Sequence, residues 1–246
     1  MAKEYSVIIA AAGASSRFGG KVKKQFAALD GRAVFLRSIE LFINRDDVLE
    51  TLLAVSPDDY EFVKTKFGAN LGFMGVRLVK GAAERYQTVQ LALDAANSEA
   101  GFIAIHDAVR PCLTQDRITE VFQAAEKHGA ALLAEEITGT LKRVGKDGTV
   151  EQTVDRNHLF AAQTPQVFRA SLIREAYKKL PASARTVTDD AQVAELAGNK
   201  VFIVRSDATN LKITVPSDLK LAEAILNILP KPKPKGPLNP FEEAQW

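Results

Sequence analysis

The sequence predicts an α/β fold: a Rossmann-like, mostly parallel sheet with a protruding β-arm. Short apolar runs alternate with longer amphipathic ones, the pattern of repeated βαβ units. The first apolar run empties into a Gly/Ser-rich turn. A polar stretch in the second half then breaks the alternation. The strands expected in order are Val7–Ala12, Thr51–Val55, Val76–Lys80, Phe102–His106, Ala131–Glu135, Val201–Val204 and Leu211–Thr214. Helical spacing fills the intervals at Ala33–Ile43, Asp59–Phe67, Glu84–Ala96, Gln115–Lys127, Ser171–Lys179, Asp189–Leu196 and Ser217–Leu226. Ser56-Pro57, Thr114, Thr188 and Pro216-Ser217 stand where N-caps belong.

The stretch Thr138–Thr153 reads as a hairpin: Leu141–Val144, a Gly145-Lys146-Asp147-Gly148 turn, then Thr149–Gln152. It is polar on both strands and has little core of its own to pack on. An arm that reaches a partner surface and a surface hairpin without a role both fit that pattern. From Pro230 the chain alternates Pro with Lys, which favours an extended tail. Residues 1–229 therefore form one domain, with residues 137–155 as its arm and 230–246 as the tail.

The turn after the first strand, Gly13-Ala14-Ser15-Ser16-Arg17-Phe18-Gly19-Gly20, is followed by Lys24-Gln25. Small residues let backbone N–H groups approach phosphate oxygens, and the cations offset phosphate charge. The spacing excludes a Walker P-loop, which needs Gly-Lys followed by Ser or Thr, because Val22 follows Lys21. A dinucleotide fingerprint is excluded as well, since Ser15 stands where its second Gly belongs. A phosphate-holding loop of another kind remains, beside the plainer reading of a strand-to-helix turn with solvated charges.

The 246 residues suffice for a sizeable core, and 46% hydrophobic with 25% charged residues is ordinary globular composition. A formal net charge of +2 gives no argument for nucleic acid or a membrane surface. The single cysteine, Cys112, makes no intramolecular disulfide and is expected to pack; this usage points to a reducing, cytoplasmic compartment. The N-terminal apolar stretch is too short for a signal peptide, and nothing approaches the roughly 20 apolar residues of a membrane span.

The second informative segment is Ile105-His106-Asp107-Ala108-Val109-Arg110-Pro111, at the C-terminal end of an expected central strand, where open α/β sheets place ligands. A carboxylate beside a phosphate loop suits Mg²⁺, which takes one or two carboxylates plus phosphate oxygens. Alternatively Asp107 caps a turn and pairs with Arg110. His106 reads as a hydrogen-bonded turn residue.

Seven ordered motifs then stand together. They are Ala10-Ala11-Ala12-Gly13 through Arg17-Phe18-Gly19 with Lys24-Gln25-Phe26; Gly81 through Glu84-Arg85 to Thr88-Val89; and His106 through Pro111. Thr153-Val154-Asp155-Arg156, Gln163-Thr164-Pro165-Gln166, Val187 through Ala191, and Asn210-Leu211-Lys212-Ile213-Thr214 complete the set. This set closely resembles the 2-C-methyl-D-erythritol 4-phosphate cytidylyltransferase family of the non-mevalonate isoprenoid pathway, over about residues 5–228. The resemblance implies a nucleotidyltransferase-type fold and transfer of CMP from CTP to methylerythritol phosphate with Mg²⁺.

By resemblance, Arg17 and Lys24 hold the CTP phosphates and Lys212 comes over the α-phosphate, making these three the catalytic set. Ala11, Ala12, Gly13, Ala82, Ala83 and Thr88 face the cytosine and ribose. Asp107 holds the metal and lies near the acceptor with Arg110, while Thr140, Arg156, Thr164 and Thr188 bind the methylerythritol phosphate. The resemblance also implies a homodimer in which the arm crosses to the neighbouring subunit. The chain departs from the family pattern at Ser15, where a second Gly is frequent, at Ala82-Ala83, and at Thr88, which replaces a Ser and keeps its hydroxyl. A ribitol-5-phosphate cytidylyltransferase and a non-catalytic nucleotide-binding regulator of the same fold are the competing readings.

Overall fold

The computed structural model describes residues 4–13, 15–19, 22–180 and 187–230. The expected tail falls almost wholly outside them. In chain order the elements are β1 (Tyr5–Ala10), β2 (Ala28–Leu29), β3 (Arg32–Ala33), α1 (Val34–Glu40), β4 (Val48–Val55), α2 (Pro57–Phe73), β5 (Val76–Lys80), α3 (Arg85–Ala95) and β6 (Phe102–Asp107). They continue with α4 (Gln115–His128), β7 (Ala130–Glu136), β8 (Leu141–Val144), β9 (Val150–Val154), β10 (Phe160–Arg169), α5 (Ala170–Lys179), α6 (Asp190–Leu196), β11 (Phe202–Ser206) and α7 (Ser217–Ile228).

Seven strands form the central sheet in the order β11-β7-β10-β6-β1-β4-β5. All neighbours pair in parallel except β10, which runs antiparallel to both β6 and β7. Helices cover both faces, so the inner strands are buried on each side and read as continuous apolar runs. Along β1, Val7 and Ile9 join the core beneath α1, α2 and α4, and Ile8 joins the one beneath α3, α5 and α6. A third cluster of Phe18, Leu29, Val34, Val109, Cys112, Ile213 and Ile225 packs α7 under the glycine loop. Cys112 is buried there and its thiol donates to Ala222 O, so it packs as expected; burial pushes the thiol up to about 12.

Helix α4 starts where Thr114 Oγ1 accepts from Arg117 N and stops at Gly129, whose φ of 87° suits glycine. Three expectations need correction. Thr188 does not cap α6: Asp189 does, accepting from Gln192 N at 2.9 Å. Leu211–Thr214 is not a strand. Its alternation is genuine, with Ile213 buried and Lys212 exposed, but its backbone meets a loop, through Ile213 N to Val109 O at 2.9 Å. Helix α2 runs past Gly68 to Phe73, because Leu71 lies one further turn along on the face that buries Val63.

Strand β10 was not expected, and its sequence explains why. Pro165 removes a ladder donor and normally argues against a central strand. Here the register to β7 breaks between Ala162 and Gln166, and Pro165 sits in that break. The chain leaves β7, makes the β8–β9 arm and returns as β10, with Ile137 N donating to Leu159 O at the base. Without a helix in this connection the return is antiparallel. The arm is a two-stranded sheet of its own. Gly148, at φ 83°, turns it, and its N–H donates to Gly145 O.

Candidate functional site

The site lies at the C-terminal ends of β1, β4 and β6. Ala11 N donates to Ala54 O and Gly81 N to Val55 O, both at 2.8 Å, so adjacent residues of β4 anchor the two segments expected to face a base. A methyl on Gly81 would come within 2.8 Å of Val55 O and closer still to the Thr88 side chain. Thr88 is buried and its hydroxyl both accepts from Ala82 N and donates to Ala82 O. It shapes the turn that presents Ala82 and Ala83.

The glycine loop is held by Gln25, whose buried amide donates to Ala11 O at 3.0 Å and Gly13 O at 3.2 Å. Ser15 takes φ 58°, in the region where glycine is at ease, which accounts for the frequent Gly of the family pattern. In exchange its hydroxyl donates to Gln25 Oε1 at 2.9 Å and accepts from Lys24 N at 3.2 Å. Lys23 pairs with Asp59 at 2.8 Å, while its neighbour Lys24 is close enough to Lys212, Asp107 and Arg17 to feel their charges. Arg17 is exposed on the loop.

Asp107 ends β6 and is the centre of a cationic group. Lys212 Nζ lies 2.7 Å from Oδ2, Arg110 Nε 3.5 Å from the same oxygen, and Arg85 Nη2 3.9 Å from Oδ1. Burial pushes the Asp107 carboxyl up, but Lys212, Arg85 and Arg110 outweigh it and hold the group well below the usual carboxylate range. Lys24 is lowered by burial and by the like charges of Lys212 and Arg17, with Asp107 opposing. Positive charge thus exceeds negative around Asp107, and an anion entering the site relieves that excess.

Beneath Asp107 a buried polar chain fixes the strand end. Asp107 N donates to Thr164 Oγ1 at 3.0 Å, Thr164 Oγ1 lies 3.1 Å from His106 Nδ1, and His106 Nε2 lies 3.0 Å from Arg110 O. Burial lowers His106 to about 4, so the ring is neutral and donates from Nε2. Arg110 Nη1 donates to Asn210 O at 2.6 Å, and Asn210 Nδ2 donates to Gln163 Oε1 and Thr164 O. Of the two sequence readings of Asp107, the structure shows the pairing with Arg110 in a turn, where Arg110 N also donates to Asp107 O at 3.1 Å. Thr164 is buried against the Asp107 backbone.

Thr188 is exposed and donates to Gln192 Oε1, one residue before the Asp189 cap. Thr140 and Arg156 are exposed at the base of the arm, where Arg156 donates to Thr138 O. Among the described residues, no hydrogen bond or ion pair joins Thr140 or Arg156 to the Asp107 group. The sequence reading assigned no role to Gln25, Asn210, Arg85 and Asp190. Each stood inside a quoted motif, but only the fold shows what it bonds.

The family model for 2-C-methyl-D-erythritol 4-phosphate cytidylyltransferase matches residues 5–228. A Rhodopirellula baltica protein of that name is 41% identical over 237 residues, covering 92% of this chain and 96% of its own. One from Symbiobacterium thermophilum is 41% identical over 223 residues, 90% and 92% of the two chains. The crystal structure of the Thermus thermophilus protein of the same name superposes with a TM-score of 0.75 at 30% identity, covering 90% of this chain and 98% of that one.

Proposed function

We propose a function from one premise: the chain belongs to the 2-C-methyl-D-erythritol 4-phosphate cytidylyltransferase family. It is a CTP-dependent nucleotidyltransferase that converts CTP and methylerythritol phosphate to CDP-methylerythritol and pyrophosphate. The observation that carries this reading is the excess of cations around Asp107, at the strand ends between the glycine loop and the Gly81–Thr88 turn. A phosphate oxygen of the acceptor attacks the α-phosphorus in line, a new P–O bond forms, and the bond to the β-phosphate oxygen breaks. The attacking phosphate is already ionised, so no general base is needed. Catalysis rests on positioning and charge.

Arg17 and Lys24 bind the triphosphate and the departing pyrophosphate. Lys212, on its half-exposed stem above Asp107, meets the charge on the equatorial α-phosphate oxygens. The backbone of Ala11, Ala12, Gly13, Ala82 and Ala83 reads the cytosine and ribose. Thr88 fixes the Ala82 backbone for that purpose. Asp107 and Arg110 face the acceptor with Thr188, and Thr164 holds Asp107 from below.

A divalent cation such as Mg²⁺ fits this donor set. Among the described residues no three His, Cys, Asp or Glu side chains come together, so Asp107 would be the protein group that holds a metal here, of the kind that takes one carboxylate beside phosphate. When bound it supplies further neutralisation of phosphate charge. The arm brings Thr140 and Arg156 of one subunit to the acceptor phosphate of its neighbour, in a homodimer. No helix among the described residues is long and apolar enough to cross a membrane, and the reading places the enzyme in the cytoplasm. Pyrophosphate release with CTP against methylerythritol phosphate, ribitol 5-phosphate and other polyol phosphates tests the function. Turnover restricted to methylerythritol phosphate is expected; faster turnover with ribitol 5-phosphate would replace the acceptor.

A further inference from the structure

Arg85 opens α3, directly after the Gly81–Glu84 turn, and its guanidinium lies between two carboxylates. Nη1 and Nη2 donate to the two oxygens of Asp190 at 3.0 and 2.7 Å, and Nη2 also comes to 3.9 Å from Asp107 Oδ1. Asp190 is fully buried and takes another bond from Tyr177 Oη at 2.6 Å. The start of α6 is fastened to β10 in turn: Gln166 donates to Asp189 Oδ2 at 2.9 Å and accepts from Ala191 N at 2.8 Å. A fork held by two parallel bonds is fixed in place, unlike the flexible Lys212 stem.

Lys212 is the nearest cation to Asp107, yet 42% of its side chain is exposed, whereas only 10% of the Asp107 side chain is. In the proposed transfer Lys212 turns to the nucleotide phosphate. Arg110, at 3.5 Å from Oδ2, and Arg85, at 3.9 Å from Oδ1, are then the guanidinium groups left beside the buried Asp107 carboxylate, and of the two Arg85 is the one on the Oδ1 side. We propose that Arg85 is a further positioning residue for that transfer: locked by Asp190 and Tyr177, it keeps Asp107 compensated and in place while Lys212 engages phosphate. It also ties the base-facing turn to the acceptor-facing Val187–Asp190 segment. The assignment rests on the function proposed above.

The test compares Arg85→Gln, Asp190→Asn and the double variant. Arg85→Gln strands a buried carboxylate and is expected to lose stability. Joined with Asp190→Asn, it replaces the ion pair by two amides and restores neutrality. The double variant should melt near the wild-type temperature and bind CTP within about threefold by calorimetry. Its kcat with acceptor should fall about 100-fold, the scale of misplacing a reacting group. Arg85→Lys, which restores charge without the fork, should recover part of that loss. A double variant that folds and turns over at the wild-type rate makes the pair merely structural and overturns the assignment. If the double variant does not fold, Tyr177→Phe decides, since it removes only one hydroxyl from Asp190. A roughly tenfold lower kcat at unchanged melting temperature supports the assignment, on the same positioning argument, and an unchanged kcat overturns it. An inactive wild-type chain overturns the functional reading and this assignment together; an active wild type with unimpaired variants overturns the assignment alone.

Discussion

The Asp107 end of the sheet and the β8–β9 arm are both rich in polar side chains, and they use them in opposite ways. At the sheet, His106, Asp107, Arg110, Thr164 and Asn210 are all buried and bonded to one another through side chain and backbone. On the arm, Thr140, Lys142, Arg143 and Arg156 are exposed, and the paired Val144 and Val150 stand 54% and 60% exposed. At the sheet end the chain satisfies most of its own buried polar groups, because any left unpaired would carry the full cost of its desolvation. A hairpin with apolar and cationic groups turned outward is shaped for a surface it does not itself supply.

The largest effect is expected at the sheet end, from the cations that stand over its buried polar floor. Lys24→Ala and Lys212→Ala should each lower kcat by about two to three orders of magnitude, the usual cost of losing a transition-state stabiliser. Melting temperatures should hardly move, since both lysines are partly open to solvent. A variant that unfolds while its folded fraction stays fully active would break the comparison at the sheet.

The arm is tested next. Arg156→Ala should raise KM for the acceptor about ten- to a hundredfold, the range for a charge-assisted hydrogen bond, and leave KM for CTP nearly unchanged. Mixing Arg156→Ala with Lys24→Ala subunits should restore activity, because one site of a mixed dimer then holds both intact residues. Full activity in a monomer would dissolve the distinction between the two regions.

Acid should separate them further. His106 has a folded-state pKa of about 4 against roughly 6.5 in an unfolded chain. The unfolded state therefore binds the extra proton between those values. Stability conferred by the neutral ring is complete above about pH 6.5 and is lost as pH falls towards 4, by at most about 3 kcal/mol. Denaturant titrations at pH 7, 5.5 and 4.5 should show that loss, and NMR should find the His106 ring still neutral at pH 5. A charged ring at pH 5 would mean that the buried polar chain is looser than described. Smallest of all, Val150→Ser should change the melting behaviour of a dilute subunit by less than about 0.5 kcal/mol, as surface changes do. Sedimentation should nonetheless show weaker self-association, and unaltered association would leave the arm without its expected partner.

Most of the α/β framework was legible because periodicity reports burial directly: β1, β4, β6 and β7 carry apolar residues on both faces, the edge strand β5 keeps Val76, Leu78 and Val79 between exposed Arg77 and Lys80, and α4 has its cap and terminal glycine in the sequence. The arm was legible as an interruption of that rhythm. Strand β10 was hidden by Pro165 and two glutamines, since its inner residues serve the site as much as the core. Leu211–Thr214 carried a strand's alternation with a loop for a partner. In the site, Asp107, Lys24 and Lys212 could be named from motifs. Arg85 and Asp190 are 105 positions apart, and nothing in local spacing announces a bidentate pair at that separation.

Strand β10 has a consequence for the order in which the molecule is assembled. Strands β6 and β7 are consecutive in the sheet part of the chain before the arm, yet they do not pair, because the later β10 lies between them. As the chain emerges from the ribosome, β1, β4, β5 and β6 can pair as soon as they appear. Strand β7 must wait with an open edge until residues 160–169 arrive. The same late strand brings Thr164 under Asp107, so it joins the two halves of the sheet and sets part of the floor of the site in a single event, before β11 adds to the outer edge of β7. A nascent chain halted before residue 160 should hold a partial sheet whose exposed edges make it a client for chaperones.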